Sequence, residues 1–162
     1  MISTITSFAR AWANEAAITS RVLGALTDAS LAQRVTAHDR SLGEIAWHLT
    51  TSVTEMARMT GLHAAGPEPD APPPAHAAAI KTAYDQAAAG LLEQVTASWN
   101  DATLAVEDEM YGERWPRGLT RTAIVVHQTH HRGQISVLMR QAGLTVPSIY
   151  GPNREETAAM RG

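Results

Sequence analysis

TRTAIVVHQTHHRGQISVLMRQAG, residues 120–143, decides how the rest of the chain is read. It carries helical periodicity and stops at Gly143, a residue suited to the left-handed C′ position that closes a helix. A helix is therefore predicted from about Thr120 to Gly143. Its histidines sit in apolar surroundings, with Ala123 to Val126 before them and Ile135, Val137, Leu138 and Met139 after. Working outward, three more long stretches carry the same period. The first runs from about Ile2 to Leu26, with Ile5, Phe8, Trp12, Ala16, Leu23 and Leu26 near one face. The second starts at Ser41, where Ser41-Leu-Gly-Glu44 fits a capping box, and ends near Gly61. Leu42, Ile45, Leu49, Val53 and Met56 form its apolar face. The third is alanine-rich, runs from about Pro74 to Trp99, and turns Ile80, Tyr84, Ala87, Leu91, Val95 and Trp99 inward.

The connections are uneven. Residues 64–76, AAGPEPDAPPPAH, form a Pro-rich loop, expected to be a surface linker, with a lid over a site as the alternative. Residues 100–118 mix charges with Gly112, Pro116 and Gly118 and read as an irregular or extended crossover. The tail after Gly143 is turn-rich and holds at most a short helical piece. No internal repeat is evident. Four long helices with no strand pattern predict an all-α fold, a four-helix bundle with a long crossover, as a single domain over residues 1–162.

Seven histidines are present, and their placement carries the chemistry. His127 and His131 are four residues apart, so on a helix they differ by only about 40° in direction and stand one turn apart on one face. Two imidazoles at that spacing can converge on one ion. Alone, the pair is equally a hydrogen-bonded or solvated one. His48, mid-way along the second helix at the edge of its apolar face, supplies the third candidate ligand, since facing helices of a bundle are where such sites assemble. Three protein ligands leave positions open, the pattern of a reactive site. Glu44, Ser52 and Glu55 share the His48 side of the helix, and Gln134 lies near the pair in direction. Glu44, Ser52 and Gln134 are candidate pocket or supporting residues. No catalytic residue is assigned; Glu55 is the one candidate base. His130 points about 80° away from the midline of the pair and is expected outside the ligand set. His38, His63 and His76 fall in loops or at helix ends and are expected in solvent. HQTHH is not HExxH, so a zincin's built-in base is missing, and no Glu-x-x-His pair supports a two-metal centre.

Three segments carry a family resemblance: Arg40-Ser-Leu-Gly-Glu-Ile-Ala-Trp-His48, His127-Gln-Thr-His-His-Arg-Gly-Gln134, and Pro147-Ser-Ile-Tyr-Gly-Pro152. With them the chain resembles the DinB/YfiT-like family of metal-dependent helical bundles. That resemblance implies one ligand from the second helix and two from the fourth, mapping onto His48, His127 and His131. It implies a divalent transition metal, nickel or zinc, often a homodimer, and in some members a thiol-dependent transferase or isomerase using mycothiol, bacillithiol or glutathione. The family's DNA-damage label does not imply DNA binding.

Composition narrows the function classes. The chain has 162 residues, 44% apolar and 18% charged, an ordinary globular balance. A net charge of −3 gives no basic footprint for nucleic acid. With no cysteine, disulfides, thiolate metal sites and a cysteine nucleophile are excluded, and any metal must be held by nitrogen or oxygen. No stretch reaches the roughly 18 apolar residues of a membrane helix, and the N-terminus lacks a signal-peptide pattern. A cytoplasmic protein is expected. Three functions compete: a metal-dependent S-transferase acting on a small molecule with a low-molecular-weight thiol, a metal-dependent hydrolase of a small ester or amide, and a non-catalytic metal-binding stress-response protein. Val126 and Val137 place apolar surface away from the histidine side of the fourth helix, which favours a homodimer.

Overall fold

A computed structural model describes residues 2–162. Four long helices form a bundle: α1 (Ile5–Gly24), α2 (Leu42–Arg58), α3 (Ala77–Ser98) and α4 (Arg117–Gln141). A short α5 (Arg154–Arg161) follows. Helix α1 packs on α3 and α4, and so does α2, so both connections α1–α2 and α3–α4 cross the bundle diagonal. The expected single crossover is one of two.

Local chemistry explains the boundaries. Ser41 accepts from the Glu44 N–H (3.2 Å) while the Glu44 carboxylate accepts from the Ser41 N–H (2.6 Å), the predicted capping box. At the far end of α2, Gly61 adopts φ +74° and the Leu62 N–H donates to the Ala57 carbonyl (3.0 Å). Gly143 closes α4 in the same way, with φ +77° and Leu144 N–H donating to Met139 (2.9 Å). Thr4 and Ser7 cap α1, which therefore starts three residues later than its periodicity suggests.

Helix α3 has no side-chain cap of its own. The Asp28 carboxylate reaches across and accepts from the Ala77 N–H (2.8 Å). Asp101 does the same for α1, accepting from the Ile5 N–H (2.7 Å). Asp28 and Asp101 each open a 3₁₀ turn, Asp28–Ala32 after α1 and Asp101–Ala105 after α3. The flanking sequences are TDASLA (27–32) and NDATLA (100–105), a repeat the sequence reading overlooked because only six residues carry it.

The remainder of the expected irregular crossover is a β-hairpin, β1 (Glu107–Met110) paired antiparallel with β2 (Glu113–Pro116). Its strands are four residues each and mostly charged, too short for an alternation signal. The turn residues Tyr111 and Gly112 have φ +54° and +84°, both left-handed, as a two-residue hairpin of this hand requires. Arg117 holds the hairpin on α4 through both Asp108 oxygens, at 2.8 and 3.1 Å, and stacks over Trp99.

The core contains every inward residue predicted for α2 and α3. Trp12 is fully buried with its indole N–H on the Ala88 carbonyl (2.9 Å). The Pro-rich loop is tied down along α2, with Trp47 donating to Ala71 O (2.6 Å) and Thr54 to Pro67 O (2.7 Å). The tail is pinned as well. Tyr150, from the Pro-Ser-Ile-Tyr-Gly-Pro segment, donates to Glu15 (2.6 Å), and both contact the buried Arg132 of α4. Among the described residues no helix is long and apolar enough to cross a membrane.

Candidate metal centre

Helices α2 and α4 face one another, and the contact brings together His48, His127 and His131. One ligand atom from each lies within 4.8 Å of the others. The ring centroids are 5.1 Å (His48–His127), 4.8 Å (His48–His131) and 4.3 Å (His127–His131) apart. The clamp that sets this approach is Gln128, fully buried one residue after His127. Its amide donates to the carbonyl of Leu49, one residue after His48 (3.3 Å), and its oxygen faces Thr19 of α1 (3.4 Å). No sequence signal marked Gln128, since a lone glutamine on an α-helix is ordinarily solvent-facing.

Hydrogen bonding fixes a tautomer. His131 Nδ1 lies 2.7 Å from Gln134 Oε1. An amide oxygen only accepts, so Nδ1 carries the proton and the Nε2 lone pair is free. That lone pair faces His127 Nε2 at 3.1 Å, so the two nitrogens share a single proton. Two nitrogens on one zinc at the usual bond length are about 3.0–3.4 Å apart. The pair therefore has the spacing that an ion in place of that proton would need. His127 Nδ1 is buried and has no hydrogen-bond partner among the described residues.

Electrostatics suits a cation acceptor. Burial pushes His48 down to about 4, helped by the neighbouring His131 and Arg40. Burial also pushes His127 down to about 4, with the charges of His131, His48 and His130 adding to it. His131 is lowered by burial against the opposing hydrogen bond to Gln134. All three imidazoles are thus neutral near pH 7, the state in which a ring nitrogen ligates metal. The donor set is all nitrogen, which fits nickel or zinc alike.

Two clefts open onto the imidazoles. One, of about 350 Å³, is lined by His48, His127, Ser52, Glu55, Tyr111 and Trp115. The hairpin thus supplies an aromatic wall that the sequence reading did not foresee. The other, of about 540 Å³, borders His131 and includes Arg40, Ile45, Gln134, Val137 and Leu138.

The remaining candidates sort by position. Gln134 holds His131 and lines the second cleft. Ser52 lines the first, but its hydroxyl donates to the His48 carbonyl (2.6 Å), so it supports the backbone of α2. Glu55 lines the same cleft. Glu44 does not belong to the site: it is exposed, engaged by the capping box and by Arg34 (3.0 Å), and borders neither cleft. Its place in the first turn, where a carboxylate meets free N–H groups, is the physical reason. His130 is exposed and touches only the edge of the group, its ring 4.8 Å from that of His131. His38, His63 and His76 are exposed. No residue of the loop 64–76 lines either cleft, so the lid reading has no support.

Comparisons with known proteins agree with this architecture. The model of the DinB family matches residues 1–162. A Bacillus subtilis (strain 168) protein named Uncharacterized protein YrdA is 40% identical over 158 residues, covering 98% of this chain and 95% of that protein. A crystal structure of a DinB-like protein from Bacillus cereus ATCC 10987 superposes with a TM-score of 0.88 at 37% identity, covering 93% of this chain and 100% of that one. The DinB-like protein YjoA of Bacillus subtilis shares the fold, with a TM-score of 0.70 at 17% identity over 88% of this chain and 96% of its own. On the full-length match and the close identity of these relatives, the chain belongs to the DinB family.

Proposed function

We propose that this chain is a divalent-metal-dependent enzyme of the thiol-dependent S-transferase type, acting on a small molecule. The observation that carries the reading is the pair of clefts: one opens onto His48 and His127, the other onto His131 of the same group, which gives room for two substrates. His48, His127 and His131 would hold the ion, nickel or zinc. Such an ion stabilises a thiolate and so supplies a nucleophile at neutral pH. The protein's own residues do the rest. Glu55, which lines the cleft with His48 and His127, would take the proton as the thiol ionises; the thiolate sulfur would then bond to the electrophilic carbon as the leaving group departs. Tyr111 and Trp115, their rings 6.0 Å apart, would give that cleft an apolar wall, and the Arg117–Asp108 pair holds the hairpin that carries them.

The test is turnover with a panel of mycothiol, bacillithiol and glutathione against small electrophiles. Activity is expected to require metal and to vanish in His131→Ala. Turnover that survives both chelation and that substitution overturns the reading. Metal content of untagged protein should be about one ion per chain and should drop in His48→Ala; equal content in both removes His48 from the site. Glu55 supports a second reading, hydrolysis of a small ester or amide, and metal-dependent turnover without thiol would select it. A homodimer belongs to the same proposal. Val126 and Val137 are 60% and 55% exposed on one face of α4, apolar surface that a second copy would cover. Sedimentation giving only the 17.4 kDa species would reject it.

A further inference from the structure

The two clefts differ in charge, and the difference identifies what enters one of them. The first carries a carboxylate, Glu55, and aromatic rings. The second carries a cation, Arg40, next to the carboxylate of Asp39. Asp39 keeps its charge, but Thr36 holds its Oδ2 through the backbone N–H (3.0 Å) and the hydroxyl (2.8 Å), and it forms no ion pair with Arg40. Arg40 makes no ion pair and no hydrogen bond among the described residues. Its charge is felt at both His48 and His131, so it stands close to the group. Gln134 adds a second donor. Its oxygen is occupied by His131, which leaves its NH₂ without a partner on the same wall. The rest of the lining is apolar, and Val35 and Val137 at its lips are 62% and 55% exposed. A cleft of about 540 Å³ falls in the range of small-molecule sites.

We propose that the cleft beside His131 binds a small amphipathic carboxylate, its anionic group on Arg40 and the Gln134 amide and its apolar body between Val35, Ile45, Val137 and Leu138. Arg40 is the residue that selects for negative charge, through a forked guanidinium–carboxylate contact. That the occupant is a substrate rests on the metal-enzyme reading above; that the cleft takes a carboxylate does not.

The two can be separated by measuring binding in metal-free protein at pH 8, where a carboxylate has no ion to ligate. The probes are hexanoate and 4-phenylbutyrate, each beside its neutral amide, followed by backbone amide shifts. A charge-assisted hydrogen bond at a partly exposed site corresponds to about tenfold in affinity. Wild-type protein should therefore bind each carboxylate about tenfold tighter than its amide, with shifts at Val35, Gln134, Val137 and Leu138. In Arg40→Gln that ratio should fall to about one, Arg40→Lys should retain part of it, and zinc affinity should be unchanged in both. Failure of either carboxylate to bind, equal binding of acid and amide, a preference that persists in Arg40→Gln, or shifts clustered at Tyr111 and Trp115 would overturn the assignment. Absence of zinc binding by the wild type would instead refute the metal reading and leave the carboxylate result standing.

Discussion

Replacing Glu15 by Gln tests whether the core depends on a buried charge pair. Arg132 is 1% exposed and Glu15 11% by side chain, and the two are in direct contact. Arg132 also donates to the Glu15 carbonyl and the Thr19 hydroxyl, each at 2.9 Å, while Tyr150 closes the group from the tail (2.6 Å to Glu15). Gln at position 15 keeps the shape and the backbone contacts but leaves the guanidinium buried without its counter-charge. Breaking such a pair costs about 3–5 kcal/mol. Glu15 is not fully sealed from water, so the lower end, about 3 kcal/mol, applies. For a chain of this size that corresponds to a fall in Tm of roughly 6–12 °C. Tyr150→Phe removes the hydroxyl's bonds to Glu15, Arg132 and Thr129, of which the one to the charged acceptor is worth about 1.5 kcal/mol, and should cost less once Glu15 is already Gln. The assay is urea and thermal unfolding followed by circular dichroism, with EDTA present so that metal loss does not enter. A Tm within about 2 °C of wild type for Glu15→Gln, or strict additivity with Tyr150→Phe, would refute the reasoning.

Further outcomes concern acidity, a buried cation and a strained turn. In metal-free protein, His48 and His127 are held near 4 by burial, below the ordinary histidine value, and His131 is lowered too. The unfolded chain then takes up these protons first, so the associated stability is present above about pH 6.5 and is lost as pH falls toward 4. Burial works to raise Glu15, but hydrogen bonds from Tyr150 and Arg132 outweigh it and the group stays low, so its share is lost only below about pH 4.5. Urea midpoints should fall through the first window, and His48→Ala should flatten the slope; a flat profile from pH 7 to 4 in wild type contradicts this. Arg121 is fully buried, with Nε and Nη1 unpartnered, and donates only to Met56 O and the Thr60 hydroxyl, both at 3.0 Å. Arg121→Met should therefore change stability by no more than about 1 kcal/mol by urea titration, whereas loss of 3 kcal/mol would show that the charge is needed. Tyr111→Asn places a residue tolerant of left-handed backbone at φ +54° and should leave Tm equal or higher while weakening turnover, since Tyr111 walls the Glu55 cleft. A lower Tm in that variant would show that the ring stabilises the fold.

Much of this architecture was legible because caps and periods are local. Ser41 with Glu44, and Gly143, mark helix ends by satisfying neighbouring backbone groups, so a few residues suffice to read them. The i, i+4 geometry of His127 and His131 is equally local, and the second helix offered His48 as the one histidine mid-way along it. What escaped depends on partners distant in sequence. Arg121, Gln128 and Arg132 share the buried stripe of α4, where charge and amide would be expected outside, because carbonyls, hydroxyls and a carboxylate from α1 and α2 meet them there. Glu44 lies on the correct side of α2 for the site, but its capping bond decides its position. The wall made by Tyr111 and Trp115 needs the hairpin to pack on α4 beside the cleft, and strands of four residues, five of the eight charged, carry no trace of that.

The exchange between Asp28 and Asp101 makes the bundle a doubled object. Each half runs helix, 3₁₀ turn, helix, with the hairpin inserted in the second, and each supplies a carboxylate to the N-terminus of the first helix of the other. Of these two first helices only α3 lacks a side-chain cap within its own half, yet both halves carry the same means of recognising a mate. Cleaving the chain within the Pro-rich segment should consequently give two fragments that are poorly helical apart and recombine on mixing, the behaviour of a dimer whose subunits have been joined end to end.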